Sequence, residues 1–229
     1  MSLPVSIVIP ALNAADQLPA TLSSLAEIAV EEILVVDGGS TDSTRQIAEN
    51  AGATVLTGTA GRGQQLSAGG KIATADWLLF LHADTILQPG WSADVKAFVD
   101  DSLDHPRVGY FRFALDDDTP QAHRLENIVA WRCRCFSLPY GDQGLLIRRD
   151  LYHEIGGFKA IPLMEDVELV RRLHKRIGRA AFHCLSTKAV TASDRYRRTG
   201  YLARSSLNLA CLTAYWLGVP PRYIARVYG

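Results

Sequence analysis

The sequence predicts an α/β fold: a mainly parallel central sheet flanked by helices, with a helical tail at the C-terminal end. Three observations predict it. Short apolar runs alternate with helix-like segments over residues 5–81, the pattern of βαβ units. Hydrophobic residues make up 48% of the 229-residue chain, enough for a large core and too many for disorder. Two of the runs stop abruptly near a carboxylate, Asp37 and Asp84. Right-handed crossovers bring parallel strand ends to one edge, and ligands of open α/β sheets bind along that edge.

Residues 5–9 form a β-branched strand closed by Pro10. Residues 14–28 carry Leu18, Leu22, Leu25 and Ile28 at helical spacing. Residues 32–36 read as a second strand. Residues 40–50 open with Ser, Thr and Asp and stop at Gly52, as a helix does. A third strand (53–56), a helix (64–75) and a fourth strand (77–81) follow. Beyond them the pattern loosens. Residues 92–99 read as a helix, 108–115 as an aromatic-rich strand and 116–118 as an acidic turn. Residues 123–135 look helical, 143–147 like a short strand and 149–155 like a helix. A turn at 156–158, a helix at 165–177 and a late strand at 180–184 complete the pattern. No repeat or low-complexity linker divides the chain, so residues 1–229 are expected to form a single domain.

Twenty-four basic and 24 acidic residues cancel, which argues against a general nucleic-acid binder. Cys133, Cys135, Cys184 and Cys211 form no CxxC pair, and Cys133-x-Cys135 is too tight for ordinary zinc spacing. They read as reduced, buried thiols of a cytoplasmic protein. The sequence enters a strand at Val5, so no secretory leader is expected. No run reaches the ~20 apolar residues that a membrane span needs.

The tail is chemically distinct. Residues 195–229 hold six arginines and no lysine or acidic residue. Tyr201, Leu202, Leu209, Tyr215, Trp216 and Leu217 lie between them. Two readings stay open. An amphipathic helix can pack on the domain with its arginines in solvent. It can also lie at a membrane surface, on the cytoplasmic face, with arginines on anionic lipid and Trp and Tyr at headgroup depth.

Four local patterns carry chemistry. Asp84 ends the run His82-Ala83-Asp84 after a buried strand. It suits a divalent ion that completes its shell with phosphate oxygens and water, or it caps the next turn. Asp37-Gly38-Gly39-Ser40-Thr41-Asp42 follows strand two. Ser40, Thr41 and Asp42 are expected to cap the next helix; Asp37, ahead of the cap, suits a ribose hydroxyl or a base N–H. Gly61-Arg62-Gly63 precedes a helix and suits a phosphate or base contact, without the Gly-Lys-Ser/Thr of a P-loop. Glu165-Asp166 opens a helix after a Gly-Gly-Phe turn. Such a carboxylate caps the helix or accepts a proton from a hydroxyl nucleophile. Between them, the glycine-bracketed turn Tyr140-Gly141-Asp142-Gln143-Gly144 suits a polyol or a plain loop.

Taken in order, these motifs resemble family 2 glycosyltransferases of the GT-A fold, the nucleotide-diphospho-sugar transferase fold, and most of all their small bacterial branch. The resemblance covers residues 4–185. It implies an inverting, metal-dependent transferase that moves a sugar from a UDP- or GDP-sugar to an acceptor hydroxyl. By that resemblance Asp84 binds Mn²⁺ or Mg²⁺, which neutralises the departing diphosphate. Asp166 is the base and Glu165 orients it or touches sugar. Pro10, Ala11, Asp37, Arg62, His82 and Ala83 bind the nucleotide-sugar. Gly141, Asp142, Gln143 and Gly144 meet donor sugar and acceptor. Residues 1–115 would form the nucleotide-sugar half, 116–190 the acceptor and catalytic half, and 191–229 the basic tail. An interfacial tail implies a lipid or lipid-linked acceptor.

The chain departs from the family pattern at His82, which replaces the first Asp of Asp-x-Asp, and at Gly38, which replaces a second Asp after strand two. It also lacks the Gln-x-x-Arg-Trp of processive members, which implies single transfers. Two competing readings follow. A sugar-phosphate nucleotidyltransferase needs a basic Gly-rich loop after strand one, where Pro10-Ala11-Leu12-Asn13 stands. A non-catalytic nucleotide-sugar binder on a degenerate scaffold draws support from His82 and Gly38.

Overall fold

The structure, a computed structural model, describes residues 2–102 and 105–228. The first strand shows why the sheet forms. β1 (Leu3–Ala11) is apolar along both faces and almost wholly buried, as a strand covered on both sides must be. Its side chains alternate. Val5, Ile7 and Ile9 join Leu18, Leu22 and Leu25 of α1 (Leu18–Leu25) in one apolar layer, with Trp91 and Val95 of α4 (Trp91–Asp101). Val8 faces the opposite layer, with Leu66 of α3 (Arg62–Ile72) and Tyr152.

Among the described residues, eight strands form one sheet in the order β3-β2-β1-β4-β7-β6-β8-β5. β2 (Val30–Asp37), β3 (Thr54–Thr57) and β4 (Trp77–Phe80) join β1 in a parallel half, as the sequence predicts. The other half is mixed. β7 (Leu145–Arg148) runs antiparallel between β4 and β6 (Val108–Leu115). β8 (Phe182–Thr191) runs parallel to β6, and β5 (Thr85–Leu87) closes the edge antiparallel to β8. β5 was not expected, being three residues long. β8 runs seven residues past its expected end (184 to 191), because polar Ser186, Thr187 and Lys188 lie on a half-exposed stretch.

α1 is shorter than the expected 14–28, since Pro19 stands in its first turn. α2 (Thr44–Asn50) starts four residues later than expected. Ser40 does not cap it. Ser40 Oγ accepts the Asn13 N–H at 2.8 Å, and Asp42 accepts both Ala15 N–H and Thr44 N–H. The loop after β2 is thereby stitched to the loop after β1. α5 (Pro120–Phe136), α6 (Arg149–Glu154) and α7 (Glu165–Ile177) complete the body.

The tail folds into α8 (Asp194–Thr199), α9 (Tyr201–Trp216) and α10 (Pro221–Tyr228). It packs on the body: Cys211 and Ile224 are buried with Leu163, Met164 and Val167. No described helix is long and apolar enough to cross a membrane.

Candidate active site

Pro10 and Ala11 end β1 beside Val36 and Asp37. The buried Gln65 amide of α3 donates to Ala11 O and Val36 O, both at 2.7 Å, and so clamps the two strand ends together. Sequence reasoning missed this residue. Asp37 is fully buried. Its carboxylate accepts N–H groups of Gly39 and Ser40 and the Arg45 Nε–H at 2.7 Å. Burial alone would raise its pKa, but hydrogen bonds from Ser40, Arg45 and Gly39 hold it below the usual carboxylate range. A ligand therefore meets the loop that Asp37 shapes, and a carboxylate already engaged on both oxygens.

β4 runs into Leu81-His82-Ala83-Asp84, and this turn is tied down on two sides. Ala83 O accepts the Thr21 hydroxyl at 2.8 Å, and Asp84 O accepts the Ala192 N–H at 3.2 Å. The Asp84 carboxylate is left largely free. Its Oδ1 is buried with no hydrogen-bond partner among the described residues. Burial pushes its pKa up, against the pull of the Arg195 and Arg62 charges. An orphaned carboxylate oxygen in a dry edge fits a divalent cation. Among the described residues, no cluster of three His, Cys, Asp or Glu side chains is arranged to hold one. An ion here would rely on Asp84 and on ligand oxygens, as Mg²⁺-type sites do.

His82 is kept neutral: burial, then the Arg62 and Arg195 charges, push its pKa well below 6.5. It faces Gly141, where a Cβ would collide with its Nε2. The turn at Gly141 to Gln143 is held by Asp166, whose Oδ2 accepts the Gly141 N–H at 2.8 Å. Gln143 serves the fold. Its Oε1 accepts from Arg132, Cys133 and Tyr140, and its amide donates to Phe111 O. Gly144 has φ +63 and packs against the Phe111 ring, so it shapes the entry to β7. Asp142 is the free member of this turn. Its Oδ1 is buried and unpartnered among the described residues. Burial pushes its pKa to about 6, against Arg132 and with help from the Asp166 charge.

Glu165 and Asp166 open α7. Met164, in the left-handed region at φ 66, turns the chain into the helix. Glu165 is fully buried and ion-paired with Arg62. Burial raises its pKa and Arg62 opposes the rise. Arg62 thus reaches the start of α7. His82, Gly141, Glu165 and Asp166 line one cleft with an apolar wall that includes Phe80 and Phe158. Ala11 and Asp37 lie apart, at the β1–β2 end. Tyr140, the first residue of the turn singled out in the sequence, also lines this cleft, and its hydroxyl is buried without a partner among the described residues. Arg195 escaped the sequence reading: it throws its charge onto both His82 and Asp84. Nothing in the sequence brings Arg195 near Asp84.

This arrangement can be compared with known proteins. The family model described as glycosyl transferase family 2 matches residues 6–161. The chain belongs to glycosyl transferase family 2. Within that family it is 39% identical over 104 residues to a PGL/p-HBAD biosynthesis glycosyltransferase of Mycobacterium bovis, covering 41% of each protein. It is 41% identical over 61 residues to the glycosyltransferase AglJ of Haloferax volcanii, covering 26% of this chain and 20% of that one. The chain thus spans well under half the length of these relatives. Glucosyl-3-phosphoglycerate synthase from Mycobacterium tuberculosis, crystallised with Mn²⁺, UDP and glucosyl-3-phosphoglycerate, shares the fold. Its TM-score is 0.60 at 21% identity, over 82% of this chain and 70% of that one. The same synthase has been crystallised with Mg²⁺ and UDP. The family 2 fold expected from the motifs is therefore the fold observed.

Proposed function

We propose that the chain is an inverting glycosyltransferase that moves a sugar from a nucleoside-diphosphate donor, UDP in first preference, to an acceptor hydroxyl. The observation that carries this reading is that Asp142 lies within electrostatic reach of both Asp84, after β4, and Asp166, at the start of α7, in a chain of glycosyl transferase family 2. The UDP complexes of the structural neighbour support the choice of base.

Asp84 would hold Mn²⁺ or Mg²⁺ through its unpartnered oxygen. When bound, such an ion neutralises charge that develops on the leaving diphosphate. The loop ordered by Asp37, with Pro10 and Ala11, receives the nucleoside. Arg195, whose charge reaches Asp84, would meet the diphosphate. Arg62 holds Glu165, which in turn fixes the start of α7. Asp166 takes the proton from the acceptor hydroxyl while that oxygen bonds to the anomeric carbon. The bond from that carbon to the diphosphate breaks, and its electron pair leaves with the nucleoside diphosphate. The Gly141 N–H aims the Asp166 carboxylate, and neutral His82 and Asp142 are left to hydrogen-bond sugar hydroxyls. The tail packs on Leu163, Met164 and Val167, and so would brace the start of α7.

Replacing Asp166 by Asn tests the reading. The Asp166→Asn chain should release UDP from its donor, in the presence of acceptor, 10²–10⁴-fold more slowly, at unchanged donor affinity. Wild-type turnover in that variant would remove Asp166 as base. Donor binding without turnover in the wild type would favour a non-catalytic binder.

A further inference from the structure

α9 has two apolar faces, and the body covers one of them. Leu207, Cys211 and Tyr215, one turn apart, pack inward toward Met164 and Val167. Leu202, Leu209 and Trp216, two turns apart, lie on the other side. Leu202 is 85% exposed and Leu209 65%. The turn after α9 adds Leu217, 80% exposed, and α10 adds Val227, 71% exposed. A soluble face would put polar side chains at these positions.

From Arg195 onward the charge of the tail itself is of one sign. Arg198, Arg222 and Arg226 are exposed, and residues 195–229 contain no acidic side chain. On α10, Arg222 and Arg226 flank the exposed Tyr223 ring, with the Arg222 guanidinium 4.9 Å from its centroid. Apolar residues, a half-exposed Trp and arginines on one surface match an interfacial helix pair. A second copy of the chain fits poorly. A two-fold contact would set this basic face against itself.

We propose that the outer face of α9 and α10 docks on an anionic lipid surface. The leucines, Trp216 and Val227 enter the headgroup boundary, and Arg198, Arg222 and Arg226 meet lipid phosphates. The inner faces of the same helices pack against the segment that leads into Glu165, so the candidate site sits beside the lipid. Docking does not depend on the transferase reading.

Sedimentation of the full chain with vesicles tests this. Phosphatidylglycerol–phosphatidylcholine vesicles should pull the protein down at low salt, and much less at 1 M salt, where the Debye length falls to about 3 Å. Pure phosphatidylcholine vesicles should not. Arg222→Gln with Arg226→Gln should weaken partition by roughly 25-fold. Leu209→Ser with Leu217→Ser should weaken it at least about tenfold. These side chains are exposed, so thermal melting should confirm intact folding. The Trp emission should shift to the blue on anionic vesicles, and less so in Trp216→Phe. No sedimentation at low salt, or undiminished binding in both double variants, would overturn the proposal. So would a concentration-dependent dimer that Leu209→Ser with Leu217→Ser dissolves, because the face would then belong to a second copy.

Discussion

Asp142 sits in the Gly141 to Gln143 turn with one oxygen buried and bare, and its pKa is pushed from 3.8 to about 6. Between those values the folded chain holds a proton that the unfolded chain has lost. Stability contributed by this group is therefore lost as pH rises from about 4 to 6. One pKa unit is worth about 1.4 kcal/mol, so the loss is up to about 3 kcal/mol. Asp142→Asn has no such proton to lose. Its melting temperature should gain on the wild type through that window and hold the gain at pH 7. A difference that stays flat from pH 4 to 7 would assign the raised pKa to another group. At this scale the sequence was a good guide to which carboxylate falls at a strand end. Asp84 stands beside a buried apolar run that announces itself. It was a weaker guide to what each side chain touches. The engagement of Asp37 by Arg45, and of Arg62 by Glu165 from 103 residues away, are tertiary facts that spacing does not carry.

The Arg62–Glu165 pair links two elements, the start of α3 and the start of α7. Breaking a buried pair leaves a bare charge and costs 3–5 kcal/mol. Arg62 keeps 34% of its side chain exposed, so the lower figure of about 2–3 kcal/mol applies after screening. Arg62→Met should lower the melting temperature by about 5–10 °C. Adding Glu165→Met should restore most of it, whereas additive losses would mean that the two side chains do not act as a pair. α3 also lies hard against the sheet. A methyl group at Gly69 would overlap Val8 and touch Val36. Gly69→Ala should cost about 1–3 kcal/mol by overpacking, a drop of about 2–10 °C, with α3 still helical by circular dichroism. The elements legible in the sequence were the long periodic ones: β6 and α7 fall on their expected residues. β5 is too short to show a period. The polar half of β8 was missed because its partners β5 and β6, not its own apolar content, make it a strand.

For the whole molecule, donor and metal should bind together. UDP with Mn²⁺ at about 100 times its dissociation constant should stabilise the chain by roughly 2.7 kcal/mol, a rise of about 5–10 °C. Chelation of the metal should abolish most of that rise, and Asp84→Asn should do the same without chelator. A rise untouched by either would place the nucleotide elsewhere. The βαβ half, and so the edge on which ligands gather, could be read from alternation alone. The tail could be read for chemistry but not for position. Its inward residues, Cys211 and Ile224, are distinguished from its outward leucines only by what they pack against.

The tie between Asp84 O and the Ala192 N–H spans 108 residues of chain. It joins the segment matched by the family model to the residue that follows β8, beyond residue 161, where that match ends. During synthesis on the ribosome, the tie from Thr21 to Ala83 O can form early, but the tie to Asp84 O cannot form until residue 192 has left the exit tunnel. Whatever meets the Asp84 carboxylate therefore meets a turn whose second fastening is made 108 residues after the first strand end of that turn has been synthesised.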